Sequence, residues 1–420
     1  MILMKHGILR LLAGVVLCGP LLTTGPACAA DPIKVGFSMA LTGGFAPIGK
    51  QILTALEIWR DDVNAKGGLL GRPLKLVFYD DQSNPATVPA IYTKLLALDH
   101  ADLLVGPYAT PMIAAAMPGI MQNNRMTIGI LGLSVNKRFN NYPRYFSMTP
   151  LGPEGPPAFS KGFFELAAAQ APKPRTVAII AADGEFPKTS SEGARQNAKA
   201  AGFEIIYDRT YPPNTADFAP VMRAVKAANA DIVFAAAYPP DTVGIVRAAD
   251  EIGLAPKMFG GSLIGLTATA IKMQLGPLVN GLVNYESFMP SFKFAGTAEL
   301  MQRYEAKAAS LGVDPLGYAF APFAYATGQL TAQAVTETKS LDPEKLAAYL
   351  HSHTVETVVG PLAFGADGEW TRSGIIFTQF QNVNGHDLGQ FKGAVKEPIV
   401  WPKPLATGSL IYPYERAKAE

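Results

Sequence analysis

Carboxylates, hydroxyls and imidazoles cluster at a few places in this sequence, and their spacing suits binding better than covalent catalysis. Residues 103–110 read Leu-Leu-Val-Gly-Pro-Tyr-Ala-Thr. An apolar run of strand character stops at Gly106-Pro107, Tyr108 and Thr110 follow, and Pro111 opens a helix. A strand end, a sharp turn and a fresh helix N-terminus make a place where a small anion can be held. Asp80-Asp81 end another apolar run, where carboxylates are expected to accept from loop amides and not to form a metal or catalytic pair. Asp183 and Glu185, just before Phe186, are the residues an exported hydrolase would use as a base, but no nucleophile with a partner base accompanies them. His351 and His353 lie two apart, so a helix does not put them on one face, and they are expected at the surface. Phosphate-cradling glycine loops and the Gly-x-Ser-x-Gly elbow are absent. No catalytic residue, metal site or cofactor is expected.

The elements that must position these residues alternate. Strands are expected at 33–40, 74–79, 103–105 and 126–131, with helices between them from Ile52 to Val63, from the Asn84-Pro85 cap to Asp99, and over 111–123. The strands are apolar throughout, the pattern of a parallel sheet covered on both faces, hence an α/β fold. Such sheets bind ligands at the carboxyl ends of their strands, which singles out the loops 42–49, 107–110 and 131–135. A Pro/Gly cluster at 149–157 marks a change of segment, after which the pattern restarts. Strands are expected at 176–181, 203–207, 231–237, 257–260 and 281–285, with helices at 193–201 and 218–228. A further change near Ser287 precedes helices at 296–311, 320–336 and 343–351. A last strand pair, 360–364 with 374–380, is expected to turn at Ala366-Asp-Gly368. The tail from Glu397 carries no periodicity.

Residues 1–30 read as a secretory leader: Lys5 and Arg10, an apolar stretch over 8–22, and cleavage near Ala29 or Ala30. An N-terminal membrane anchor is the weaker alternative. Lipidation at Cys28 is weaker still, because Gly25-Pro26-Ala27 lacks a large aliphatic residue. Cys18 and Cys28 are the only cysteines, so the mature chain would hold no thiol. Two of the 36 basic residues lie in the leader, leaving 34 basic against 34 acidic, which gives no footprint for nucleic acid. No later apolar run reaches the ~18 residues that span a bilayer. At ~100–200 residues per domain, residues 31–420 should form two.

The stretch 62–81, Asp-Val-Asn-Ala-Lys-Gly-Gly-Leu-Leu-Gly-Arg-Pro-Leu-Lys-Leu-Val-Phe-Tyr-Asp-Asp, resembles the leucine/isoleucine/valine-binding family of periplasmic solute-binding proteins of ABC importers. Residues 104–107, 176–181, 231–238, 357–362 and Asp367-Gly368 carry the same resemblance. It implies two Rossmann-like lobes with parallel sheets, joined by a three-segment hinge around a ligand cleft. Lobe one would be 31–150 with 287–370, lobe two 151–286 with 371–396, and 397–420 a tail. A periplasmic monomer is implied, which closes on a small-molecule ligand and then engages a membrane permease. By the same resemblance Tyr108, Thr110 and the loop holding Leu131, Leu133 and Ser134 would grip a ligand carboxylate. Phe186 and Tyr238 would contribute from lobe two, and Phe45 would add a ring.

One departure stands out. The family's lobe-two acidic residue, which pairs with a ligand ammonium, falls on Ser262. A buried ammonium without a carboxylate costs several kcal/mol, so an aromatic or other hydrophobic acid lacking that ammonium is expected. Asp183, Glu185 or Glu286 could supply the charge instead, which keeps branched-chain amino acids as the alternative. A hydrolase and a ligand-sensing regulator on the same fold are the competing classes.

Overall fold

The computed structural model of the chain describes residues 31–213 and 215–419; the expected leader with both cysteines lies outside them. Strand β1 (Ile33–Met39) is apolar and buried, so it sits inside a sheet. β2 (Leu74–Asp80) pairs with it in parallel, Ile33 opposite Leu74 through Met39 opposite Asp80, and β3 (Leu103–Leu104) pairs on its other side. Beyond Gly106-Pro107 the backbone continues this sheet. The Gly106 N–H donates to the Ile128 carbonyl at 2.8 Å, and the Ile130 N–H to that of Pro107 at 3.0 Å. That brings in β4 (Thr127–Gly129), to which β5 (Tyr145–Ser147) adds in parallel. Helices α1 (Ala46–Ala65), α2 (Val88–Ala97) and α3 (Thr110–Gln122) make the connections.

After α4 (Ala158–Ala168) a second sheet begins with β6 (Thr176–Ala182). The chain then runs through α5 (Glu185–Ala200), β7 (Glu204–Tyr211), α6 (Ala219–Ala228) and β8 (Ile232–Ala237). It continues through α7 (Pro239–Glu251), β9 (Met258–Leu263), α8 (Thr269–Leu275) and β10 (Val283–Glu286). These five strands are parallel. The chain returns to the first sheet with α9 (Thr297–Leu311), α10 (Ala321–Thr338), α11 (Pro343–Ser352) and the hairpin of β11 (Val355–Thr357) and β12 (Gly360–Leu362). It then crosses back to add β13 (Ile376–Gln379) and β14 (Ile399–Trp401), both antiparallel, and ends in α12 (Tyr414–Ala419). The second sheet has the order β14-β13-β10-β9-β8-β6-β7. Two α/β bodies with mostly parallel sheets result.

Two expectations need correction. The strands 360–364 and 374–380 do not pair with each other; a single bridge, Phe364 to Trp370, spans their turn. The reason is that residues 373–375 are leaving the first sheet, with the Gly374 N–H held by the Pro150 carbonyl at 2.9 Å. The tail from Glu397 is not irregular, since it supplies an edge strand and a helix. Gln379 pins it, donating to the Ile411 carbonyl at 2.9 Å and accepting from the Ile411 N–H at 2.7 Å. Residues 239–251 form a helix that opens on Pro239 and was not expected, because proline at the first helical position gives up an N–H that has no intrahelical acceptor. Helices at 158–168 and 269–275 also escaped the sequence pattern.

Helix α10 lies so close on α1 that a Cβ on Gly328 would stand 2.3 Å from the ring of the buried Trp59. Gly328→Ala should therefore lower the unfolding free energy by about 1–3 kcal/mol through overpacking, read from urea denaturation.

Candidate ligand-binding cleft

Each sheet presents the carboxyl ends of its strands to the other, and the gap is floored by the three segments that pass between them. A cavity of about 50 Å³ lies there. Tyr108, Leu131, Leu133 and Phe320 line it from the first body, and Phe159, Phe186, Ile264 and Tyr285 from the second. The crossing segments contribute Thr149 and Pro150, Glu286 and Ser287, and Ile375. Rings pack edge to face around it: Phe159 meets Tyr285 at 4.7 Å and Phe186 at 5.6 Å, and Tyr108 meets Phe320 at 5.7 Å between centroids.

Of the residues expected in the site, Tyr108, Leu131, Leu133 and Phe186 line this cavity together. Phe45 and Tyr238 do not line it but meet each other across the gap at 5.5 Å. Phe45 also touches Tyr108 at 6.1 Å, and Tyr238 touches Phe186 at 6.0 Å. They extend the ring cluster from both sides. Burial pushes the Tyr238 phenol up to about 12 and raises Tyr108 and Tyr285 further, so all three keep their protons at neutral pH.

Three expected residues sit elsewhere. Thr110 is buried as the first residue of α3, and its Oγ1 accepts the Leu133 N–H at 3.0 Å, so it ties the 131–134 loop to the helix. Ser134, in a left-handed conformation (φ 48°), lines a separate cavity with Asn136 and Glu369. Ser262 lies beneath Phe159: its hydroxyl donates to the Phe159 carbonyl at 3.1 Å and accepts from Ser190 at 2.7 Å. A side chain so engaged behind the wall does not replace an acidic residue facing the cleft.

The three carboxylates named as alternatives are now distinguishable. Asp183 pairs with Lys188, and Glu185 reaches across the gap to Arg138 at 2.5 Å, both in partly exposed positions. Glu286 alone lines the cavity. It is buried, and Lys272 stands 3.6 Å away. Burial above all, with Glu397 beside it, holds its carboxyl well above the usual range, against the pull of Lys272. Phe159, Tyr285 and Phe320 were missed because isolated aromatics in apolar stretches read as core. Glu286 did have a signal, since it is an acidic residue closing the apolar run 281–285.

Asp80 and Asp81 have the structural role expected. Asp80 accepts from the Leu41, Thr42 and Gln82 N–H groups and the Thr42 hydroxyl, and Asp81 from Ser38 and the Ser83 N–H. His351 bridges the carbonyls of Pro143 and Gly365. Among the described residues no group of acidic, His or Cys side chains could hold a metal ion.

The sequence pattern of the periplasmic binding protein family matches residues 32–385. The chain belongs to that family. Its members act outside the cytoplasm as solute-binding proteins, take small-molecule ligands and deliver them to membrane permeases. The Leu/Ile/Val-binding protein of Citrobacter freundii is 27% identical over 362 residues, covering 86% of this chain and 92% of that protein. The Leu/Ile/Val-binding protein of Escherichia coli K12 is 26% identical over 343 residues, 81% of this chain and 88% of its own. Among solved structures, an ABC-transporter solute-binding protein from R. palustris in complex with 4-hydroxybenzoate superposes with a TM-score of 0.72 at 20% identity, covering 84% of this chain and 94% of its own. LivJ from Streptococcus pneumoniae, in complex with isoleucine, gives 0.71 at 20% identity over 85% and 97%. The periplasmic binding architecture of two lobes is thereby shared.

Two outcomes test the loop beside this cleft. Thr110→Val leaves the buried Leu133 N–H without an acceptor and should cost about 1–3 kcal/mol in denaturant unfolding, while Thr110→Ser should stay near wild type. Burial, with Asp367 adding and Ser147 opposing, pushes the Glu369 carboxyl from 4.5 up to about 8. The folded chain thus holds a proton that the unfolded chain releases above 4.5, so this group's stabilisation is complete below 4.5 and is lost as pH rises to about 8. Glu369→Gln should flatten that decline when urea midpoints are compared across the window.

Proposed function

We propose that the protein is the extracytoplasmic binding subunit of an ABC importer, and that it captures a small carboxylate with a hydrophobic, preferably aromatic, body. The observation that carries this is the cavity between the two bodies, walled by Tyr108, Phe159, Phe186, Tyr285 and Phe320. Five rings in edge-to-face contact favour a flat apolar guest, each ring pair adding about 0.5–1.5 kcal/mol beyond area burial. The acid end would be held by the first turn of α3 and the 131–134 loop. That helix has no side chain capping its N-terminus, so its positive dipole end remains for an anion.

Lobe one would comprise 31–150 with 287–370, and lobe two 151–286 with everything from 371 onward, since β14 belongs to the second sheet. The cavity is small, so the lobes must part to admit cargo and close on it again. The closed form would dock on the permease. The protein would work as a monomer in the periplasm after cleavage near Ala29 or Ala30. It would act without turnover or cofactor. Asp183 and Glu185, the bases a hydrolase would need, are tied to Lys188 and Arg138.

Glu286 supports a second reading, a hydrophobic amino acid whose ammonium faces that carboxylate. A thermal-shift screen separates the two: aromatic acids raising the melting temperature by several degrees while leucine and valine do nothing supports the first, and the reverse supports the second. In either case Phe186→Ala should weaken binding about tenfold or more in calorimetry, from the lost ring contact and apolar area.

A further inference from the structure

Glu286 ends β10 where the chain leaves the second sheet, and it is 3% exposed. Its Oε1 has no hydrogen-bond partner among the described residues. The Lys272 ammonium stands 3.6 Å from that oxygen but 2.6 Å from Oε2 of Glu397, whose Oε1 accepts from the Thr378 hydroxyl at 3.1 Å. One buried ammonium therefore serves two carboxyls, and it serves Glu397 the better. The other titratable groups near this cluster offer Glu286 no donor. Asp314 is occupied by the N–H groups of Thr269, Leu316 and Gly317, and Tyr285 precedes Glu286 on the same strand. An acceptor this deeply buried is rarely left unmatched, and the residue that carries it lines the ring-walled cavity.

We propose that Glu286 is the specificity-determining acceptor of the cleft, taking a hydrogen bond from a hydroxyl or ammonium group that the cargo carries besides its carboxylate. The inference rests on the carboxylate reading above and narrows it. The cargo is an acid with a second, donating polar group, and a plain hydrocarbon acid leaves Glu286 unmatched. The two donors have different proton bookkeeping. A hydroxyl can donate to the Glu286 carbonyl oxygen while the carboxyl keeps its proton, whereas an ammonium draws the carboxyl to its anion and releases that proton to solvent.

Calorimetry on the wild-type protein with benzoate, 4-hydroxybenzoate and leucine tests this without any variant. At least one donor-bearing acid should bind about tenfold or more tightly than benzoate. Repeating the titration in two buffers of different ionisation enthalpy assigns the donor: no proton change for the hydroxyl, release for the ammonium. Glu286→Met removes the acceptor and leaves Lys272 paired with Glu397. It should bring the favoured acid down to the level that benzoate shows on the same variant. Glu286→Gln should retain the hydroxyl acid and lose the amino acid. Circular dichroism confirms that each variant is folded. Benzoate binding as tightly as the best donor-bearing acid, or a ratio that Glu286→Met leaves unchanged, overturns the role of Glu286. Failure of the carboxylate reading looks different: phenol or isoamylamine, donors without an acid, would then bind as tightly as the acids.

Discussion

Phe45 and Tyr238 touch at 5.5 Å between two sheets that share no strand, and the working part of the molecule depends on contacts of that kind. A sheet satisfies its own backbone hydrogen bonds, so the boundary between two sheets must be built from side chains and crossing segments. Here that boundary is mostly aromatic. Ion pairs, Arg138 to Glu185 and Lys392 to Glu305, also span it, but their partners are partly exposed, and such a pair contributes only about 0–1 kcal/mol. Apolar ring contact therefore dominates, each pair adding about 0.5–1.5 kcal/mol beyond buried area. Because that contact needs no hydrogen-bond partner, a guest with a ring can take the place of ring-to-ring packing without leaving a polar group unpaired. The same surfaces can then hold the lobes together and hold cargo between them.

The three crossings give this boundary its second property. Thr149 and Pro150, Glu286 and Ser287, and Ile375 each lie where the chain passes from one sheet to the other, and all of them line the cavity. Any rotation of one body on the other has to be absorbed in these segments, so a guest that touches them is sensed by the hinge itself. Glu286 is the polar group among them that is both buried and unmatched on one oxygen.

Most of the fold was legible because buried parallel strands are uninterrupted apolar runs, such as 176–181 and 231–237, and the structure puts β6 and β8 there. What stayed hidden was decided at long range. The pairing of β13 with β10 depends on where the chain crosses, and nothing local at 374–380 announces a partner in a different sheet. For the cleft, turn chemistry and the family resemblance located Tyr108, Leu131, Leu133 and Phe186. They could not separate a hydroxyl facing the cleft from one spent on structure. Thr110 holds the Leu133 N–H, and Ser262 holds the Phe159 carbonyl, each a contact between segments distant in sequence. Ser262, on which the family's acidic residue falls, is of the second kind.

The acid of the cleft instead stands on the hinge, and its availability depends on the C-terminal segment. Lys272 is buried and needs an anion, because an uncompensated ammonium at that depth would cost several kcal/mol. Were Glu397 absent, Glu286 would be the nearest carboxylate and the ammonium would be drawn onto it, filling the oxygen that is otherwise unmatched. Glu397 prevents this by taking Lys272 at 2.6 Å, with the Thr378 hydroxyl holding its other oxygen. Gln379, one residue beyond Thr378 on β13, pins the tail through both its amide atoms at Ile411. The segment without periodicity in the sequence thus fixes a buried charge. A tail that keeps one carboxyl occupied leaves the other free to read what enters the cleft.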